Sequence, residues 1–381
     1  MSYRSLLQYI ISSLKSIVGT KESIASACDK IQQTAIGINH PFQTFEDQCV
    51  YCYTGTHWIR IEDFDLKVFL KYAYAKMSGD RIKASQRETI EGLFKQFPYT
   101  VMGVTMEQDK EKINFLNGTL DLKTGNLIQH SYQNYFRYVL PYNYDSNATC
   151  QMFMKYLDRV LPDKDTQKVL AEYIGWIFTS LKLEKCLFLY GSGRNGKSVF
   201  VDIIEALLGK ENISHESLSD MCGENGDRSR ANLGGKLLNT CSDVAPNAFS
   251  GDIFKRIASG EPISSRLLYK DVATLTDYAK MIFCLNEFPK TNDKSNGYFR
   301  RFLIAPFSVQ IPKSEVDPRL AENIISTELP GIMNWVLEGR KRLIAQSGFT
   351  ESSLCQKQLE EYRYGSGIRK KVNLILPAGF K

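Results

Sequence analysis

The chain has 381 residues, of which 43% are hydrophobic, and 48 Lys and Arg stand against 42 Asp and Glu for a formal charge of +6. That balance excludes a disordered or low-complexity polymer, and no apolar run approaches the ~20 residues that a membrane-spanning helix needs. The basic excess is slight and spread along the chain, so charge alone identifies no polyanionic partner, and the nine cysteines, single in apolar segments apart from Cys49 and Cys52, read as reduced side chains of a soluble cytoplasmic protein.

In chain order, residues 1 to about 40 read as helical, with Leu6, Leu7, Ile10, Ile11, Leu14, Ile17 and Val18 recurring at helical period in an amphipathic surface helix. Phe45 to Ile61 then alternates as strands around the turn Tyr53-Thr-Gly-Thr-His57. Helix returns over Leu66 to Ala75, and a second strand-turn-strand runs from Ile113 through Lys123-Thr-Gly-Asn126 to Leu127-Ile-Gln. From Met152 to Ser180 the apolar positions predict two helices broken near Pro162. After Leu183 short apolar strands at Cys186–Tyr190, Leu237–Cys241, Met281–Leu285 and Phe302–Ala305 alternate with helices, the texture of an α/β nucleotide-binding core.

Inside that core Gly191-Ser-Gly-Arg-Asn-Gly-Lys197-Ser198 satisfies the P-loop pattern of a glycine, four residues, then Gly-Lys-Ser. It follows the first of these strands and opens the predicted helix Val199–Leu208, which Gly209 can cap. Glycines let backbone N–H groups curl around an oxyanion, and the helix N-terminus adds its positive dipole end. Gly191, Ser192, Gly193, Arg194, Asn195, Gly196, Lys197, Ser198 and Val199 are therefore the expected cradle for ATP, with Lys197 on the β and γ phosphates and Ser198 on Mg²⁺.

Such a site also needs a carboxylate at the end of a neighbouring strand, and Asp243 after Leu237-Leu-Asn-Thr-Cys-Ser supplies one for Mg²⁺. The strand Met281-Ile-Phe-Cys-Leu ends in Asn286, an amide able to orient the attacking water, and Glu261 is a candidate to activate that water. Arg300 and Arg301 precede the strand Phe302-Leu-Ile-Ala305, from whose edge a guanidinium could reach a neighbouring subunit's nucleotide.

These residues, together with Ile113-Asn-Phe-Leu-Asn-Gly-Thr-Leu-Asp121, Glu172-Tyr-Ile-Gly175, Gly235-Lys-Leu-Leu, Ser259-Gly-Glu-Pro-Ile263 with Arg266 and Tyr269, and Phe299-Arg-Arg-Phe302, resemble superfamily 3 helicases, specifically the helicase portion of phage and plasmid primase-helicases. The resemblance implies an AAA+ P-loop NTPase core that assembles as a hexameric ring and moves single-stranded DNA through its pore during replication of a phage, plasmid or other mobile element. It places Asp243 at the Walker B position, Asn286 at the sensor and Arg301 more than Arg300 at the arginine finger. A pore hairpin is implied in the interval Ser265–Asp271, where Lys270 and Arg266 are the expected DNA contacts. The expected architecture is a mixed α/β N-terminal domain over 1–150, a helical collar over 151–183, the ATPase over 184–345 and a tail over 346–381. No polymerising primase domain precedes the motor in this sequence, so a separate primase is an expected partner. An AAA+ ATPase that remodels proteins or loads another helicase, and an ATP-assembled DNA-binding initiator without motor activity, would share every nucleotide-binding residue.

Two other signals are set aside. Cys49 and Cys52, with His40 and His57 near, have the spacing of half a zinc site but lack a second close pair. Asp63-Phe-Asp65 could serve two-metal chemistry, yet acids are favoured in a first helical turn, and a helix follows.

Overall fold

The computed structural model describes residues 3–16, 23–45, 47–103, 108–242, 251–266, 272–291 and 293–365. The chain divides into two units, Met1–Tyr144 and Asp145–Lys381.

In the first unit the apolar period of the opening residues forms α1 (Tyr3–Ser13) and α2 (Ile24–Gly37). The Ser23 hydroxyl caps α2 by accepting from the Ser26 N–H. An antiparallel sheet follows, of β1 (Phe42–Thr44), β2 (Val50–Tyr53) and β3 (Trp58–Arg60), with Tyr53 opposite Trp58 across the expected turn. Helices α3 (Asp63–Ser78), α4 (Arg81–Ala84) and α5 (Arg87–Thr100) then pack on α1 and α2 around Ile10, Ile31, Phe69, Leu70, Leu93 and Phe97. The acids at 63 and 65 begin α3, and Asp65 accepts from Tyr3 and Arg4, so they serve the helix start and a local pair. A second sheet of β4 (Lys112–Phe115), β5 (Gly118–Asp121) and β6 (Leu127–Ile128) carries the resemblance motif Ile113–Asp121, whose buried Asn114 bonds the carbonyls of Thr56 and Tyr138. That asparagine ties the two sheets of this unit together. Cys52 turns its thiol to the His40 carbonyl and Cys49 to that of Asp47, and no group of three metal-ligating side chains occurs among the described residues.

The second unit begins with α6 (Gln151–Val160) and α7 (Lys164–Trp176), separated at Leu161–Asp163 as Pro162 requires. Its centre is a parallel sheet in the order β13-β7-β12-β9-β8, built from β7 (Cys186–Tyr190), β8 (Ile213–Ser214), β9 (Leu238–Cys241), β12 (Lys280–Leu285) and β13 (Phe302–Pro306). Helix α8 (Lys197–Leu208) links β7 to β8, and α9 (Leu218–Cys222) and α10 (Gly226–Ala231) link β8 to β9. Between β9 and β12 stand α11 (Gly251–Ser259) and an antiparallel ribbon of β10 (Ile263–Ser265) and β11 (Ala273–Leu275). Helices α12 (Asn296–Phe299), α13 (Leu320–Gln346) and α14 (Ser353–Gly365) complete the unit. Cys186, Leu187, Phe188 and Leu189 are all fully buried, which is why β7 reads as an unbroken apolar run rather than an alternation.

The collar segment 151–183 lies within this unit, with α7 packed along α13. Here the motif Glu172-Tyr-Ile-Gly175 acquires a structural meaning. A Cβ on Gly175 would meet the Arg340 backbone N at 2.6 Å, and one on Gly339 would meet the Ala171 carbonyl carbon at 2.5 Å, so glycine on each helix permits the close crossing. Glu172 is fully buried and accepts from Arg342 Nε at 2.5 Å and from the Thr350 hydroxyl and N–H at 2.6 and 2.7 Å. Glu172→Ala removes three hydrogen bonds to a buried carboxylate, but Arg342 is 31% exposed and still donates to the Lys168 carbonyl, so the cost should be about 2 to 3 kcal/mol. Urea unfolding of the second unit should show the loss; an unchanged midpoint would refute it. No helix among the described residues is long and apolar enough to cross a membrane.

Candidate nucleotide-binding site

In a parallel sheet the strands' carboxyl ends share one edge, and ligands bind there. Strand β7 is flanked by β13 and β12, so the turn leaving Tyr190 opens at that edge beside Leu285 and Pro306. Gly191 donates its N–H to the Leu285 carbonyl and Phe307 donates to that of Tyr190, which ties the turn to both neighbours. A Cβ on Gly191 would stand 2.5 Å from the Phe307 oxygen, so glycine is required there. Gly193, Arg194 and Gly196 all take positive φ, at 98°, 48° and 86°, which curls the turn before α8 starts at Lys197. Among the described residues no acceptor meets the N–H groups of Ser192, Gly193, Arg194 or Asn195. Four free donors at a helix N-terminus form a cradle for an oxyanion.

Lys197 folds back over this turn. Its Nζ donates to the Gly191 carbonyl and lies 3.3 Å from both Asn195 Oδ1 and Asn286 Oδ1. Burial pulls its pKa below the ordinary lysine value, and its three bonded acceptors are all neutral. Asn195 is itself buried and donates to the Phe307 carbonyl at 3.0 Å. Asn286 is exposed at the end of β12, and Ser198 is exposed in the first turn of α8. The fold therefore brings together Lys197, Ser198 and Asn286, which the sequence separates by up to 89 positions. Asp243 and Lys270 lie outside the described residues. Strand β9 runs parallel to β12, so the chain leaves Cys241 at the same edge of the sheet as Asn286.

The arginines separate sharply. Arg301 is buried, with Nε 3.0 Å from both the Lys255 carbonyl and Ser259 Oγ, Nη2 2.8 Å from the same hydroxyl, and Nη1 bonded to the Gly297 carbonyl. Its guanidinium is bonded to α11 and α12, and Nη2 also lies 3.8 Å from Glu184. Arg300 is exposed, and among the described residues its one ion pair is with Glu184, which is partly exposed and shared with Arg301. The ribbon stands where the resemblance implied a hairpin, with Ser265 opposite Ala273. Arg230, buried, fastens its base through the Ser264 carbonyl and hydroxyl, and Arg266 is exposed beside Asp227 at 3.7 Å. Glu261 sits in the turn before β10, 3.9 Å from Arg256, and no contact joins it to Lys197 among the described residues.

Two parts of the site carried no signal in the sequence. Tyr156 of α6 donates to the Gly196 carbonyl at 2.7 Å, and a Cβ on Gly196 would meet Val160 at 2.8 Å, so α6 backs the glycine turn. Phe288, two residues after Asn286, is stacked between Tyr190 at 4.4 Å and Tyr362 of α14 at 4.5 Å between ring centroids. Tyr362 also donates to the Pro289 carbonyl at 2.9 Å. The loop bearing Asn286 is thus clamped between β7, which leads into the glycine turn, and α14. Tyr362→Phe should cost about 2 kcal/mol for the bonds to the Pro289 carbonyl and the Tyr298 hydroxyl, and Tyr362→Ala about 4 kcal/mol because it also empties the stack. Equal losses from the two substitutions in urea titrations would contradict this division.

Two family descriptions match parts of the chain: "D5 N terminal like" over residues 20–162 and "Family of unknown function (DUF5906)" over residues 189–301. The Acanthamoeba polyphaga mimivirus protein named "Putative helicase L207/L206" is 22% identical over 284 residues, covering 68% of this chain and 30% of that protein. The protein 184R of Invertebrate iridescent virus 6, of the same description, is 23% identical over 236 residues, 57% of this chain and 24% of that protein. The chain therefore spans about a quarter to a third of the length of these relatives. Two apo structures of the NrS-1 C-terminal region superpose with TM-scores of 0.54 and 0.52 at 10% and 12% identity, covering 87% and 89% of this chain and 74% and 77% of those. At that identity the likeness bears on the fold, a mixed α/β chain with a parallel sheet.

Proposed function

We propose, from the premise that this chain belongs to the helicases of the phage primase-helicase family, that it is an ATP-driven motor that moves along single-stranded DNA as a homo-oligomeric ring during replication. The observation that supports it most directly is the meeting of Lys197 with Asn286 at 3.3 Å over four free backbone donors. An oxyanion held by those donors would lie beside both an ammonium and an amide, the positions needed for phosphates and for an attacking water. The strand order β13-β7-β12-β9-β8, with the phosphate turn after β7 and the amide after its neighbour β12, agrees with an AAA+ core of the superfamily 3 kind.

In this reading Gly191 to Val199 wrap the triphosphate, and Lys197 neutralises its β and γ groups. Magnesium would be held by Ser198 and Asp243, where it would offset charge on the transferred phosphoryl group. Two observations support this reading: Ser198 is exposed in the first turn of α8, and Asp243 follows in sequence a strand that ends at the same edge of the sheet. Asn286 orients water. Arg300, outward and held only by an exposed pair, reaches the neighbouring subunit's nucleotide, while Arg301 braces the element that presents it. The ribbon of β10 and β11 would then carry Lys270 and Arg266 toward DNA phosphates.

Strand displacement on a forked duplex tests this. Unwinding that needs ATP, and ATP turnover stimulated by an oligonucleotide, are the expected results. Turnover stimulated by an unfolded protein and indifferent to DNA would assign the chain to protein remodelling instead.

A further inference from the structure

Among the described residues, helix α3 carries one exposed stripe. Phe64, Val68, Tyr72 and Lys76 follow at four-residue steps and so line one face over about 18 Å of helix. Phe64 is 76% and Tyr72 55% exposed. Single exposed apolar residues are ordinary, but two aromatic rings aligned on one stripe are a surface with a direction. Beyond Lys76 the chain turns at Gly79 into α4 and α5, where Arg81, Lys83 and Arg87 surround Ile82, itself 81% exposed. Between Lys71 and Arg87 there are five cations and one carboxylate, Asp80. That carboxylate caps α4 by accepting from the Lys83 N–H at 2.8 Å. Lys76, Arg81 and Arg87 form no ion pair among the described residues, and Lys71 lies over the Tyr72 ring, 5.4 Å from its centroid.

Unpaired cations beside exposed rings match a strand that offers phosphates and unstacked bases together. We propose that this stripe and the basic turn after it bind single-stranded nucleic acid, with Phe64 and Tyr72 stacking on bases and Lys76, Arg81 and Arg87 on phosphates. A duplex keeps its base faces covered, so the rings favour an unpaired strand. A second copy of the chain is disfavoured, because an isologous contact would set five cations against five. This deepens the reading of the chain as a DNA motor by adding a contact in the first unit, apart from the β10–β11 ribbon.

Fluorescence anisotropy of a labelled oligodeoxythymidine with the full chain, across a salt series, is the test. Tyr72→Ala should weaken binding roughly tenfold. The triple variant Lys76→Glu, Arg81→Glu, Arg87→Glu should flatten the slope of log affinity against log salt by about 2, at roughly 0.7 for each lost phosphate contact on a single strand. Wild-type affinity and slope in these variants, with DNA-stimulated ATP turnover intact, would overturn this proposal and leave the motor reading standing. No oligonucleotide binding by the unaltered chain would overturn both. A change in particle mass without a change in oligonucleotide affinity would assign the stripe to self-association and also defeat the proposal.

Discussion

Lys197→Ala should abolish ATP turnover, by a thousandfold or more, and leave the second unit folded. Lys197 is buried among three neutral acceptors, and burial holds its pKa below 10.5. Between that lowered value and 10.5 the unfolded chain binds more protons than the folded one, so this group's contribution to stability rises with pH across that window. Below the window the buried charge is a constant liability to the apo fold. Removing it should therefore leave the urea midpoint at neutral pH unchanged or slightly raised, even though three hydrogen bonds go. A triphosphate reverses the sign, since it supplies the counter-charge that the fold withholds. Preorganised donors at developing charge are worth about 10²- to 10³-fold each in rate, and this lysine would face two phosphates at once. Wild-type turnover in a folded Lys197→Ala chain would end the nucleotide-site reading. A collapsed chain would show instead that the lysine holds the turn in place.

Arg300→Ala and Arg301→Ala should separate activity from stability. Arg300 lies in solvent with one exposed ion pair, a contact worth about 0 to 1 kcal/mol, so its loss should barely move unfolding. If it completes the next subunit's site, turnover should fall about 10³-fold. Arg301 is the reverse case. Its removal strands the buried Ser259 hydroxyl and loosens the half-buried carbonyls of Lys255 and Gly297, at about 2 kcal/mol or more in total. A mixing experiment makes the assignment in trans decisive. Subunits carrying Lys197→Ala keep Arg300, and subunits carrying Arg300→Ala keep an intact phosphate turn. Mixed together, the two inactive proteins should regain a fraction of the activity at interfaces that join one of each. No recovery in mixed assemblies, with each variant assembling normally, would remove Arg300 from this role.

The pairing of Arg300 with Arg301 shows where sequence reading reaches its limit. Both precede β13, and the family pattern favoured Arg301 for the finger. Packing bonds Arg301 to α11 and α12, so the exposed neighbour becomes the better candidate. The motif Glu172-Tyr-Ile-Gly175 was legible as a marker of resemblance, but its work is to let α7 and α13 cross closely and to bury a carboxylate on Arg342 and Thr350. Tyr362 gave no sequence signal at all, because its partners Phe288 and Pro289 lie more than 70 positions away.

By itself the sequence determined four of the five strands of the parallel sheet, all but the two-residue β8, and with them the break at Pro162, the start of α3 and the turn from Gly191 to Ser198. Each of these depends on local chemistry: apolar runs that suit a sheet buried on both faces, a ring without an N–H, acids at a helix start, glycines at positive φ. Only the tertiary structure decided that Asn286 would meet Lys197, that α6 would back the glycine turn and α14 would clamp the loop bearing Asn286, and which arginine would face outward. Those outcomes depend on strand order and on how tightly helices cross, and such packing is set by many distant side chains acting together rather than by any short run of residues.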